Sequence, residues 1–277
     1  MNITAQSSAV NTALANTLLA NPLFADKELG NSPVSKLSGF KAFSPKENHL
    51  LAAISHEEWS KLEPDMEEVE FSLNQVLCES GKTPAYMYFP TTAIVSLIYM
   101  TENGSSSEVA VIGNDGVVGI SLVLSGSNSP NQALVQTAGK GYRIRAQAAK
   151  NAIHRDGSTL NILLRYSQAM ITQVTQTAVC NRHHPIDQQL CRRLLLSLDR
   201  LSTNEISMTQ EMLASMLGVR RESVTDAALK LQSAGIISYK RGLITILDRQ
   251  ALESRSCECY ATNRNEQLRL QKLPLVS

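Results

Sequence analysis

The side chains best suited to chemistry follow one another at the start of a predicted helix: Arg220, Arg221, Glu222, Ser223 and Thr225. An arginine in this position can donate two parallel hydrogen bonds to O6 and N7 of guanine in the major groove of DNA. An ordinary helical hairpin has no reason to expose such a run on the first turn of its second helix. The run therefore indicates DNA binding.

Two crossed helices must hold this run, and residues 210–229 have the spacing of a helix-turn-helix. Ala214 is small where the helices approach each other, and Gly218 supplies the positive φ of a tight turn. The hydroxyl of Thr209 can cap the first helix. We expect four apolar side chains to anchor the pair in the core: Leu213, Leu217, Val224 and Leu229.

A basic β-hairpin is predicted directly after the two helices. Residues 236–239 and 243–247 read as short strands on either side of Lys240, Arg241 and Gly242. Cations at such a tip would contact phosphates and add affinity without sequence information. A merely solvated tip is the alternative, and the preceding helix-turn-helix argues against it.

From Met208 to Asp248 the chain resembles the C-terminal winged-helix domain of the catabolite-activator and fumarate-nitrate-reduction (Crp-Fnr) family of bacterial transcription regulators. The resemblance extends to nearly everything after residue 45. It is carried by Thr209-Gln210-Glu211, Leu213-Ala214, Leu217-Gly218, Arg221-Glu222-Ser223-Val224, Gly235-Ile236-Ile237 and residues 241–248. It implies an α+β fold with an N-terminal antiparallel β-roll, a long dimerisation helix and a C-terminal winged helix-turn-helix. It further implies a homodimer with double-stranded DNA and RNA polymerase as partners.

The resemblance assigns the family's base-reading Arg-Glu pair to Arg221 and Glu222, and the next reading position, commonly basic in the family, to Asp226. A carboxylate can only accept, for example from cytosine N4, so we expect a target that differs from the family's familiar sites. The expected DNA contacts are Thr209, Gln210, Arg220, Arg221, Glu222, Ser223, Thr225, Asp226, Lys240 and Arg241.

Strands dominate the N-terminal half after a helical stretch from Asn48 to Leu62. Six short segments rich in β-branched and aromatic residues are predicted strands: residues 67–71, 75–79, 85–89, 93–100, 108–112 and 133–136. Such a series is typical of a small closed or sandwiched antiparallel fold. The resemblance makes it the β-roll of cyclic-nucleotide-binding domains.

The chain departs from the cyclic-nucleotide-binding members where they hold their ligand. In those members a Gly-Glu pair accepts from the ribose, and a later Arg neutralises the phosphate. Here Gly119 is followed by Ile120, and residues 127–132 include no basic side chain. Burying a phosphate without a cation is strongly unfavourable. We therefore expect no response to cyclic AMP and no cofactor, and the effector is unknown.

Metal binding is not expected from the sequence. The oxygen-sensing branch of the family holds an iron-sulfur cluster on N-terminal cysteines, and no cysteine precedes Cys78. Cys180 with His183-His184, and Cys257-Glu258-Cys259, lack the paired spacing of a structural zinc site. Three lone histidines are surface or core residues, although a haem ligand among them is harder to exclude: His49, His56 and His154.

A heptad seam lies between the two predicted domains, formed by Leu160, Leu164, Ser167, Ile171, Val174 and Ala178. In an isolated domain this stripe would simply face the core. A dimer interface is favoured because the family dimerises through this helix, and because two half-sites multiply the specificity of one helix-turn-helix. Pro185 should end the helix, residues 186–201 should form the next one, and the segment Cys180 to Pro185 should act as the hinge.

The expected organisation has five parts. They are a mobile extension (1–45), the β-roll (46–157), the dimerisation helix (158–180), the winged helix-turn-helix (181–252) and a helical extension (253–277). Residues 181–277 carry 14 Lys and Arg against 10 Asp and Glu, whereas residues 1–180 carry 12 against 15. The basic half thus contains the DNA-binding motif.

Other function classes find less support. No span of transmembrane length and no secretion signal is recognisable, and five scattered cysteines suit a reducing compartment, so we expect a cytoplasmic protein with no membrane partner. An enzyme is not expected, because residues 113–116 are a turn rather than a phosphate-binding loop and no catalytic constellation appears. The alternative is an effector that responds to a cyclic nucleotide or another small ligand without binding DNA.

Overall fold

The computed structural model describes residues 44–124, 128–155 and 157–272, without the side chains of residues 154 and 155. These residues belong to one compact unit. The predicted N-terminal extension lies outside the described residues except for its last two positions, and so do the last five residues of the predicted C-terminal extension.

Two short helices, α1 (His49–Ala52) and α2 (His56–Leu62), replace the single helical stretch that the sequence predicts. Each begins at its own capping residue. The Asn48 Oδ1 atom accepts from the Leu50 and Leu51 amides at 3.1 and 3.3 Å, and the Ser55 Oγ atom accepts from the Glu58 amide at 3.3 Å. The second cap restarts the helix, so the stretch is divided.

Two antiparallel sheets form the β-roll. One has the order β1-β7-β3, and the other has the order β2-β6-β4-β5. The strands are β1 (Met66–Phe71), β2 (Val76–Cys78), β3 (Tyr86–Pro90), β4 (Ile94–Met100), β5 (Ser106–Ile112), β6 (Gln132–Thr137) and β7 (Gly139–Arg145). All six predicted strands are confirmed to within two residues at each end.

The strand that was not predicted in this part of the chain, β7, is the central strand of its sheet. Its glycines and basic residues weaken any β pattern in the sequence. Gly141 is nevertheless needed there, because a Cβ atom at this position would collide with the Phe89 backbone oxygen. The close approach of the two backbones is a tertiary feature that no local pattern encodes.

Three helices follow strands of the roll: α3 (Ser121–Leu124), α4 (Ala146–Arg155) and the long α5 (Gly157–His183). The predicted dimerisation helix is therefore present and extends beyond its predicted end. Pro185 interrupts the helical structure as expected, with an extended backbone (φ −67°, ψ 156°). Helix α6 (Ile186–Leu198) begins at the next residue.

The C-terminal part is a winged helix. Its elements are β8 (Glu205–Ser207), α7 (Gln210–Leu217), α8 (Arg221–Ser233), β9 (Ile237–Lys240) and β10 (Leu243–Ile246), with the sheet order β8-β10-β9. The short strand β8 was not predicted. Two further helices, α9 (Arg249–Arg255) and α10 (Glu258–Lys272), complete the described chain. None of the helices in the described part is both long and apolar enough to cross a membrane.

Candidate nucleic-acid interface

The helix-turn-helix has the local geometry that its sequence predicts. The Thr209 hydroxyl caps α7 by accepting from the Met212 amide at 3.1 Å. Gly218 ends the helix in the left-handed conformation, with φ 66° and ψ 33°. Ala214 and Val224 are buried between the two helices. The predicted cap, turn and crossing point are confirmed.

The prediction that Leu229 of the second helix belongs to the core is wrong. Leu229 is 54% exposed, whereas Leu231 is buried. The buried face of α8 consists of Val224, Ala227, Ala228 and Leu231. The last three follow Val224 by three, four and seven residues. Leu229 follows Val224 by five residues, which carries it well away from that face.

The opposite face of α8 carries the predicted DNA-reading groups. Arg221, Glu222 and Asp226 are exposed together with the preceding Arg220, and Ser223 is half-buried. Residues 221, 222, 225 and 226 share one side of a helix because the second pair follows the first by one turn. This side presents guanidinium and carboxylate groups from adjacent positions to solvent, as recognition of base edges requires.

Two of the expected DNA contacts bind each other. The Thr225 hydroxyl lies 2.8 Å from the Gln210 Oε1 atom, to which it can donate, and 3.0 Å from the Arg221 backbone oxygen. This pair joins the beginning of α7 to the first turns of α8. Gln210 and Thr225 therefore fix the angle between the helices, in addition to any contact that they make with DNA.

The wing ends in a two-residue turn with unusual backbone geometry. Lys240 pairs with Leu243, and the intervening Arg241 and Gly242 have φ values of 49° and 81°. Two positive φ values define a type I′ turn, for which Asn-Gly is the preferred sequence. Arginine in this conformation costs roughly 1 to 2 kcal/mol. Lys240 and Arg241 are exposed, so the strained position places a cation at the tip.

Tyr239 anchors the wing to the helix-turn-helix. Its hydroxyl donates to the Met208 backbone oxygen at 2.8 Å, and its amide donates to the Gln232 Oε1 atom at 2.9 Å. Burial raises the pKa of Tyr239 to about 12, while the nearby Arg221 opposes this shift. The hydroxyl is therefore a neutral donor, and the wing is held close to the recognition helix.

Helix α6 joins this winged helix to the β-roll through a buried ion pair. The Arg193 Nε and Nη2 atoms lie 2.6 and 2.8 Å from the two carboxylate oxygens of Glu108 on β5. Arg193 also donates to Ser197 at 2.5 Å and to Gln136. Burial lowers the pKa of Arg193, and Glu108 opposes this effect.

A second ion pair crosses the same boundary at the turn of residues 113–116. The Arg200 Nη2 and Nε atoms lie 2.5 and 3.0 Å from the two carboxylate oxygens of Asp115. Gln267 on α10 donates to the same carboxylate at 2.8 Å. Neither pair was predicted from the sequence. The only local signal for the first pair is the presence of the charged Arg193 in the middle of the leucine-rich helix α6.

Comparisons with known proteins agree with this geometry. Residues 188–255 match the family of Crp-like helix-turn-helix domains, and residues 68–156 match the cyclic nucleotide-binding domain. The chain has the domains and the fold of a Crp/Fnr-family transcription regulator. No curated protein matches its sequence.

Several solved structures share the fold at low sequence identity. FixK2 from Bradyrhizobium japonicum has 16% identity and a TM-score of 0.59, over 69% of this chain and 98% of the other. A CRP/FNR-family transcriptional regulator from Thermus thermophilus has 18% identity and a TM-score of 0.56, over 69% and 98%. The c-di-GMP-responsive global regulator CLP from Xanthomonas campestris has 13% identity and a TM-score of 0.56, over 69% and 99%.

The long helix α5 exposes most of the predicted heptad seam. Leu164, Ile171 and Val174 are 46%, 58% and 38% exposed, Ala178 is also exposed, and Leu160 is half-buried. Ser167 differs, because it is buried and its hydroxyl donates to the Leu163 backbone oxygen at 2.8 Å. Ser167 thus lies on the side of α5 that faces its own chain, and it is not part of the exposed stripe.

Lysine and arginine are missing from the sequence of one long segment of the β-roll. From residue 83 to residue 139, which includes β3 to β6 and α3, the sequence contains no Lys or Arg.

A separate cavity of about 530 Å³ lies among α5, α6, α10 and the end of β5. Asn263 lines it with both polar side-chain atoms buried and without a hydrogen-bond partner among the described residues. This cavity can accommodate a small molecule with polar groups.

Four side chains of metal-binding types, from two segments that are far apart in the sequence, come together in the fold. Cys180, His184, Cys257 and Cys259 place one ligand atom each within 4.8 Å of the others. Spacing along the chain could not reveal this cluster, because its two halves come from distant segments. Cys78 and Cys191 lie elsewhere, and all five cysteines are free thiols.

Proposed function

We propose that this regulator is a sequence-specific DNA-binding protein that acts as a homodimer without responding to cyclic AMP. The observation that carries the proposal is the exposed face of α8 beside the basic tip of the wing. An N-terminal helical turn with Arg221 and Glu222 can enter the major groove, while Lys240 and Arg241 contact phosphates. The proposed setting is the cytoplasm, with RNA polymerase as a partner at promoters.

Base reading can be tested with a substitution matrix of a DNA site selected from genomic fragments. Arg221→Ala should cost about 1 to 3 kcal/mol per half-site and relax preference at one base position. Asp226→Ala should relax preference at a different position if its carboxylate accepts from cytosine. If Asp226 instead orients an arginine, both variants will lose discrimination at the same position.

Lys230→Ala is the matched control for base reading. Lys230 is exposed on the same helix one turn after Asp226, but its ammonium lies 3.0 Å from an Asp187 carboxylate oxygen. Its substitution should leave the matrix unchanged. A matrix that Arg221→Ala also leaves unchanged would remove α8 from the role of recognition helix.

The dimer is supported by the exposed apolar stripe of α5. Ile171→Asp combined with Val174→Asp would place two charges in that interface, where an unpaired buried charge costs several kcal/mol. Light scattering should show monomers, and affinity for a two-half-site DNA should fall. Leu268→Asp is the control, because Leu268 is 44% exposed on α10 outside the stripe. A double variant that remains dimeric would refute the interface.

The alternative function is a ligand-responsive effector that does not bind DNA. It shares the fold of the β-roll but gives no role to the strained basic wing. Failure of the wild-type protein to enrich any genomic fragment, with its dimer intact, would favour this alternative.

A further inference from the structure

Two distant segments of the chain meet at one cluster of sulfur and nitrogen atoms. Cys180 lies near the end of α5, and His184 is the first residue after the helix, where its amide still donates to the Cys180 backbone oxygen at 3.0 Å. Cys257 and Cys259 lie at the junction between α9 and α10. The Cys180 and Cys257 sulfurs are 3.5 Å apart, and the Cys259 sulfur is 3.6 Å from the His184 Nδ1 atom.

These distances fit the edges of a metal-centred tetrahedron. With Zn–S bonds of about 2.3 Å and Zn–N bonds of about 2.0 Å, tetrahedral geometry separates two sulfurs by about 3.8 Å and a sulfur from a nitrogen by about 3.5 Å. The two observed distances lie within a few tenths of an ångström of those edges. They are much longer than a disulfide bond, which is about 2.0 Å.

The histidine is oriented as a metal ligand. Its Nε2 atom lies 3.3 Å from a Glu258 carboxylate oxygen, so the proton of a neutral ring belongs on Nε2. The Nδ1 lone pair is then free and points to the Cys259 sulfur. Metal-bound histidines commonly show this arrangement, in which a carboxylate fixes the tautomer and strengthens the ligand.

Burial and charge also suit a bound dication. Cys180, Cys257 and Cys259 are at most 4% exposed. Three thiolates and one Zn²⁺ carry a net charge of −1, which the buried Arg192 nearby can balance. Arg192 itself is held by a hydrogen bond of 2.8 Å to the Thr177 hydroxyl.

We propose that Cys180, His184, Cys257 and Cys259 together bind one Zn²⁺ ion in a structural site. Three thiolates and an imidazole are a ligand set that selects zinc over the harder cations. Four protein ligands complete a tetrahedron and leave no open position for catalysis. A single ion fits better than an iron-sulfur cluster, because the ligands of a cluster bind different irons and lie further apart.

The position of the ion defines its structural effect. It joins the end of α5 to the beginning of α10, which packs along α5. The ligands Cys180 and His184 belong to the segment that precedes Pro185, where the hinge between the long helix and the winged helix is expected. Zinc therefore fixes the hinge segment to the C-terminal helix, and metal removal frees both.

The first test measures zinc in the full-length protein, purified under reducing conditions in zinc-supplemented buffer and then desalted. Inductively coupled plasma mass spectrometry should detect one zinc ion per protein chain. Cys257→Ser and Cys259→Ser should lose it, whereas Cys191→Ala should retain it, since Cys191 is equally buried on α6 but outside the cluster. Cobalt-substituted protein should show the visible absorption of a tetrahedral site and the charge-transfer bands of thiolate ligands.

A second variant keeps the test decisive if the cysteine variants fail to fold. Glu258 has an exposed side chain, so Glu258→Ala should fold normally yet bind zinc roughly 10- to 100-fold more weakly in competition with a chromogenic chelator. Glu266→Ala on the same helix should bind zinc like the wild type, because Glu266 pairs with Arg269 instead. Chelation should also increase hydrogen exchange in α10.

Three results would overturn the proposal. One is a wild-type zinc content no higher than that of Cys257→Ser. Another is unchanged zinc affinity in Glu258→Ala together with a cobalt spectrum that lacks thiolate bands. The last is a disulfide between Cys180 and Cys257 in the reduced, zinc-supplemented protein, detected by peptide mass mapping, because a disulfide would use two of the four ligands.

Discussion

Glu108→Ala should strongly destabilise the protein, because it leaves the Arg193 guanidinium buried without its carboxylate. The side chains of Arg193 and Glu108 are 3% and 6% exposed, and the pair joins α6 to β5. Breaking a buried ion pair by removing one partner costs about 3 to 5 kcal/mol. The remaining acceptors, Ser197 and Gln136, satisfy part of the guanidinium, which favours the lower end of this range.

The consequence is large relative to the stability of a domain, which is typically about 5 to 15 kcal/mol. At about 2 to 4 °C per kcal/mol for a protein of this size, the melting temperature should fall by roughly 6 to 20 °C. Replacing both partners by apolar residues should behave differently. Glu108→Met with Arg193→Met removes both desolvation penalties, so the double variant should recover most of the missing stability.

The assay is a double-mutant cycle measured by urea unfolding and by calorimetry. Glu68→Ala is the control, because its partner Lys140 is 3.5 Å away and its own side chain is half exposed. Breaking such a surface pair should cost less than about 1 kcal/mol. The reasoning fails if Glu108→Ala costs no more than this control, or if the double Met variant is as unstable as Glu108→Ala.

Two further predictions concern the wing and the ligand. Arg241→Asn should stabilise the protein by about 1 kcal/mol, because Asn tolerates the left-handed turn. The same variant should weaken binding to all DNA sequences alike and lower the salt slope by about one unit for each phosphate that is no longer neutralised; an unchanged slope in a salt titration would show that Arg241 does not bind phosphate. Cyclic AMP or cyclic GMP should leave the melting temperature unchanged, since residues 83–139 offer no cation to the phosphate. Binding would instead add about 2.7 kcal/mol at a hundred times the Kd, so a clear rise in calorimetry would contradict the prediction.

Local chemistry made the helix-turn-helix and the wing predictable. Each of these features is decided within a few residues. The Thr209 hydroxyl caps α7, and glycine adopts the positive φ of the turns at Gly218 and Gly242. The β-branched and aromatic residues that predicted the strands of the β-roll are local signals in the same sense. The break at Pro185 also follows from one residue, because proline cannot continue the hydrogen bonding of α5.

Contacts between residues that are distant in the sequence could not be predicted in this way. Strand β7 was not predicted because it contains glycines, which the close approach of neighbouring backbone requires. Ser167 fits the heptad spacing, although it packs toward its own chain. The ion pair of Glu108 with Arg193 joins residues 85 positions apart. Nothing in either local sequence identifies the partner.

The sequence by itself determined six strands of the β-roll, the helix-turn-helix, the wing and the run of charged residues on α8, because those properties depend on neighbours along the chain. Tertiary structure alone decided that Cys180 meets Cys257, 77 residues later. A metal site needs four ligand atoms within one coordination sphere, and only the packing of α10 against α5 brings the two pairs of ligands that close.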